Sequence, residues 1–182
     1  MAQLDSRSVA NEIIHLASEY QKNITHLSLQ KILYFVHGRY LIETEQPLIK
    51  GYFEAWPYGP VHPLIYETFK ESGAENLTQQ AKDKDLLTGE ITIIPRPDNM
   101  DTRLYIRKEA AQYLSLSAGR LVDLAHAKNS PWDILTRGEE KRKFGLRITN
   151  DIILSSFRFH KISIDKQPRI GEPSVESPPP RD

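Results

Sequence analysis

Between positions 26 and 42 the chain is apolar almost all the way round a helix. Leu29, Ile32, Leu33, Val36 and Tyr40 recur at spacings of three and four, the period that stacks side chains on one helical face. Leu27, Tyr34, Phe35, Leu41 and Ile42 widen that stripe until little of the circumference is polar, which predicts a helix at the centre of the core. Thr25 or Ser28 supplies a capping hydroxyl at its start. Gly38 costs such a helix about 1 kcal/mol relative to alanine, so close approach by another backbone is expected there. Gln30, Lys31, His37 and Arg39 interrupt the run and leave it too short and too polar for a membrane span.

The flanking patterns build a mainly α domain around that helix. Asp5 or Ser6 caps a first helix with Val9, Ile13, Leu16, Ala17 and Tyr20 on its buried face and Arg7, Asn11, Glu12 and Ser18 opposite. Tyr52, Phe53, Ala55 and Trp56 read as a short strand, stopped by Pro57. Tyr58-Gly59-Pro60-Val61-His62-Pro63 then makes a corner, and Pro63 opens a helix carrying Ile65, Tyr66 and Phe69. Ile91, Ile93 and Ile94 alternate as a strand that 104–106 is placed to join, the turn between them being Pro95-Arg96-Pro97. Residues 108–114, 118–128 and 150–159 read as further helices, with Trp132, Ile134 and Leu135 returning to the core. The expected fold is a compact α+β domain over 1–165: helices with a small β-sheet or hairpin. The stretch 166–182 holds Pro168, Pro173, Pro178, Pro179 and Pro180 and almost nothing apolar, so it is expected to be a disordered tail.

Composition removes several functions. The 182 residues are 39% hydrophobic, enough for one packed domain. Lys and Arg number 24 and Asp and Glu 24, a neutral balance that disfavours a dedicated nucleic-acid binder. Without cysteine there is no disulfide frame, thiol nucleophile or thiolate metal site, in keeping with the cytoplasm. The N-terminus lacks a signal-type segment.

The six histidines (15, 26, 37, 62, 126 and 160) never fall three to five apart, the helical spacing of common metal pairs. His62 and His126 are the pair left free to meet in space. No nucleophile elbow, phosphate-cradling loop or paired-carboxylate setting is present, so no catalytic, metal or cofactor residues are assigned. Lys141-Arg142-Lys143, with Arg137 and Arg147, is the single basic cluster, and Glu139-Glu140 dilutes it. Trp56, Tyr58, Pro60 and His62 are the partner-binding candidates, because aromatic side chains dominate binding hot spots and a stiff turn loses little entropy on docking.

Three blocks carry a family resemblance. Thr25, Leu27, Leu29, Gln30, Lys31, Leu33, Tyr34 and Phe35 match the pattern T-x-L-x-L-Q-K-L-L-Y-F. Ala55, Trp56, Tyr58, Gly59, Pro60 and Val61 match A-W-x-Y-G-P-V, with Tyr66 and Phe69 following as Y-x-x-F. Leu121, Leu124, His126 and Ser130-Pro131-Trp132 match L-x-x-L-T-H and S-P-W, with Ala125 where threonine is usual. In this order the blocks resemble the Panacea domain of toxin–antitoxin systems. That resemblance implies a non-enzymatic antitoxin whose partner is a cognate toxin encoded nearby, with a protease as a further partner in the branch that acts as a proteolytic adaptor. Two other readings stand beside it. A DNA-binding repressor of its own operon requires a recognition helix with outward Arg, Lys, Asn or Gln, of which 118–128 has few. A histidine-dependent hydrolase requires the histidines to converge.

Overall fold

The computed structural model describes residues 2–137 and 145–160. The basic cluster at 141–143 and the expected tail at 166–182 lie outside these residues. The first helix, α1 (Ser6–Glu19), is capped by the Asp5 carboxylate, which accepts from the Arg7 N–H. The second, α2 (His26–Thr44), is capped by the Thr25 hydroxyl and ends where Glu45 turns left-handed. Every residue of α2 from His26 to Gly38 is buried, as its nearly unbroken apolar circumference demands. Around it pack α1, α3 (Pro63–Phe69), α4 (Met100–Ala111), α5 (Ala118–Ala125) and α7 (Asn150–Ser156), with α6 (Pro131–Thr136) alongside α7.

Two small sheets complete the fold. The strands β1 (Phe53–Trp56), β2 (Gly59–Val61) and β5 (Leu146–Ile148) form an antiparallel sheet in the order β2-β1-β5. A separate antiparallel arm pairs β3 (Lys82–Lys84) with β4 (Ile91–Ile93).

β1 ends at Trp56, before Pro57, as expected; Pro57 and Tyr58 form the two-residue link to β2, which pairs Trp56 with Gly59, Ala55 with Pro60 and Glu54 with Val61. Pro60 is tolerated because β2 lies on the sheet edge. Several local expectations are corrected. Residues 104–106 are helical: Thr102, Ile106 and Ala110 are buried at a spacing of four, and the Asn99 side chain caps the helix at the Thr102 N–H. The strand at 91–93 therefore pairs with 82–84, not with 104–106 or with β1.

On α1, Asn11 and Glu12 are fully buried, because the face read as outward is covered by the root of the β3–β4 arm and by α4. Arg107 donates to Glu12 at 2.9 Å, with Arg96 and Arg103 at 3.5 and 3.6 Å. Tyr20 is exposed, since α1 ends before it and the chain turns at Gln21. At Gly38 the close neighbour is not a backbone but the Phe157 ring, which occupies the space a Cβ would need. Trp132 is buried as expected, whereas Ile134 is exposed.

Leu33 is fully buried on α2 at the centre of the main core cluster. Leu33→Ala is expected to lower unfolding free energy by about 2–5 kcal/mol, the usual loss for emptying a packed site. Urea unfolding checks it, and a change under about 0.5 kcal/mol, typical of surface positions, would place Leu33 outside the core.

Candidate partner-binding site

The three sequence blocks meet at Gly59. Gly59 has φ +94°, a backbone conformation that L side chains rarely adopt. A Cβ there would lie 3.1 Å from the Ala125 Cβ and 3.2 Å from the Lys31 Cε. So α2, the β1–β2 hairpin and α5 converge on the one position where only a hydrogen fits.

Hydrogen bonds lock the hairpin onto α2. The Gln30 carbonyl oxygen accepts from the His62 N–H at 2.8 Å, and its amide lies 3.4 Å from the His62 carbonyl and 3.2 Å from the His26 Nε2. Lys31, fully buried, donates from Nζ to the Pro60 carbonyl at 2.8 Å. Burial drives the Lys31 amine well below its ordinary pKa. No carboxylate among the described residues lies within ion-pair distance of it, so a neutral amine suits the site better than an ammonium.

The third block ties the other side of the hairpin. The Trp132 indole N–H donates to the Trp56 carbonyl at 2.7 Å, and the Trp56 indole donates to Glu54 at 2.8 Å. Ser130 both caps α6 and donates from its hydroxyl to the Ala125 carbonyl at 3.0 Å, while Pro131 takes the first helical turn. His126 stacks on Trp132, with ring centroids 3.7 Å apart.

Of the four candidates, Trp56, Pro60 and His62 are buried and Tyr58 is half-buried. Tyr58 packs on the patch formed by Leu27, Ala118 and Val122. The His62 imidazole lies against Phe53 and its Nε2 faces the Lys50 carbonyl at 3.0 Å. His62 and His126 thus sit in separate surroundings, and no group of His, Asp or Glu among the described residues is arranged to hold a metal. His160 has both ring nitrogens engaged, one with the Tyr34 hydroxyl at 3.0 Å and the other with the Leu124 carbonyl at 2.8 Å. On α5 no residue is exposed, which leaves it a poor reading head for DNA.

Sequence reasoning missed the locking role of Gln30 and Lys31. The available signal was a lysine and a glutamine inside a run where every neighbour reads as core. It also missed Asn11, whose amide bonds the Ala81 and Ile94 carbonyls at 3.2 and 2.7 Å.

The family model described as Antitoxin SocA-like, Panacea domain, matches residues 29–133. Antitoxin SocA of Caulobacter vibrioides (strain NA1000 / CB15N) is 38% identical over 177 residues, covering 97% of this chain and 94% of that protein. No solved structure matches. The chain belongs to the antitoxin SocA-like, Panacea-domain family.

The buried histidines make stability depend on acid. Desolvation lowers His26, His37 and His160 from 6.5 to about 4, with hydrogen bonds partly offsetting it. Below pH 6.5 the unfolded chain therefore binds protons that the folded chain refuses until about pH 4. Unfolding free energy is expected to fall as pH drops through that window, by up to about 1.4 kcal/mol per pH unit for each histidine. Urea unfolding at pH 7.5, 6 and 5 measures the slope; equal stability at all three values contradicts the buried, neutral state.

Proposed function

We propose that this chain is an antitoxin that binds a cognate toxin encoded nearby and neutralises it by direct contact in the cytoplasm, without catalysing a reaction. The observation that carries the reading is the near-full-length similarity to Antitoxin SocA. The geometry is in keeping with it. Gln30, Lys31 and Trp132 of the family blocks spend polar groups in joining α2, the hairpin and α6, so these serve a shape rather than a reaction. Tyr58 is the candidate with accessible surface, and we place it in contact with the toxin, while Trp56, Pro60 and His62 hold it in position from beneath.

Binding predicts saturation. Purified protein titrated into the neighbouring gene's product should form a complex of fixed stoichiometry, and co-expression should restore growth only while antitoxin matches toxin. Tyr58→Ala should weaken the complex by more than about 1 kcal/mol while leaving the fold intact. Full protection at a small fraction of one molecule per toxin, with neither a stable complex nor toxin degradation, would rule out the binding mechanism. Toxin degradation that requires this protein would instead assign it the adaptor role.

A further inference from the structure

The β3–β4 arm carries exposed apolar side chains on a fixed frame. Its root is clamped: Asn11 bonds the Ala81 N–H at 2.6 Å and the carbonyls of Ala81 and Ile94, and the Ser8 hydroxyl donates to the Pro95 carbonyl at 2.7 Å. Its tip is equally fixed. The Asp85 carboxylate accepts from the N–H groups of Leu87 and Thr88 at 2.7 and 2.8 Å, and Gly89, at φ +73°, closes the turn onto the Asp85 carbonyl. These groups are polar or glycine. The residues between them, Leu86 and Leu87, are 94% and 97% exposed and belong to no hydrophobic cluster of the fold. A turn specified by Asp85, Thr88 and Gly89 does not need leucines.

The strands sort their side chains by charge. Lys82 pairs with Ile93, Asp83 with Thr92 and Lys84 with Ile91, and directly opposed residues share a face. One face therefore carries Lys82, Lys84, Ile91 and Ile93, all exposed. Asp83 and Thr92 lie on the other, and Asp83 turns toward α1, where Arg7 meets it at 3.2 Å. The face turned from α1 is apolar and cationic, with the two leucines at its end. Lysines alone could be explained as guards that keep a short edge strand from pairing with a neighbour. That account leaves the isoleucines and the leucines unexplained, since they make the same edge more adhesive.

The geometry points to this arm as a docking element for the toxin, engaging a surface of it that is apolar and acidic. The inference rests on the antitoxin reading and adds to it the chemistry of the partner's surface. The leucines fill apolar hollows and the lysines meet carboxylates, which supplies register and speeds encounter.

Two variants of the full chain test it by calorimetric titration against the neighbouring gene's product. Leu86→Ser/Leu87→Ser should keep the wild-type melting temperature and raise Kd at least roughly ten-fold, as removal of a binding hot spot does. Lys82→Glu/Lys84→Glu should weaken binding at low salt, by a factor that shrinks as salt rises. A leucine variant that binds like wild type overturns the inference and leaves the antitoxin reading intact. Wild-type protein that binds no neighbouring product overturns both. A leucine variant that unfolds contradicts the claim that these residues hold nothing within the chain. Loss of self-association with toxin binding retained assigns the arm to a second copy instead.

Discussion

The fold depends on a lysine amine sealed in the core and bonded to one carbonyl. Lys31 lies on α2, the helix that α1, α3, α4, α5, α7 and β2 pack against, and its Nζ reaches the Pro60 carbonyl of the β1–β2 hairpin. Burial of an ammonium costs several kcal/mol, and one neutral hydrogen bond contributes only about 0.5–1.5 kcal/mol in return. Burial therefore pushes the amine well below the ordinary lysine pKa, toward its neutral form. Such a group is tolerable because its neighbours make the same junction: Gln30 brackets the His62 backbone, and Gly59 lets the Ala125 methyl and the lysine stem close in together. What the lysine contributes is direction, since an apolar residue of equal size would leave the Pro60 carbonyl without its donor.

Much of this architecture was legible in the sequence, and the limits have physical causes. The central helix could be read because its apolar positions run far longer than any strand needs, and the caps at Asp5 and Thr25 fall where carboxylate or hydroxyl side chains precede periodic runs. The three blocks correctly marked one place in the molecule. Burial of Asn11 and Glu12 could not be read, because a polar side chain is placed inside by partners distant in the chain, here the Ala81–Ile94 root and the arginines of 96–107. Residues 104–106 read as a strand because Leu104-Tyr105-Ile106 is apolar in sequence, although they lie inside the helix 100–111 and Leu104 faces outward. β5 was missed because three residues carry too little pattern to register, and its pairing with Phe53–Ala55 spans most of the chain.

The candidate site was legible as a location and less so as a surface. Trp56 and His62 have the residue types of a binding hot spot, yet the Trp56 indole N–H is spent on Glu54 and the His62 backbone N–H and Nε2 on Gln30 and Lys50 within the fold. A hairpin joined to a buried helix by this many directional bonds is a rigid mount, on which Tyr58 is the half-buried candidate. The family blocks thus describe a scaffold.

The ionisation state of Lys31 tests that account most directly. Carbon-13 NMR of the Lys31 ε-methylene, assigned by through-bond correlation and followed from pH 6 to 11, reports when the amine takes up a proton. The account predicts that its titration in the folded protein is displaced well below the ordinary lysine value of 10.5. An ε-methylene that titrates near 10.5 while the protein stays folded would mean that Lys31 reaches water and that the junction between helix and hairpin is not built as described.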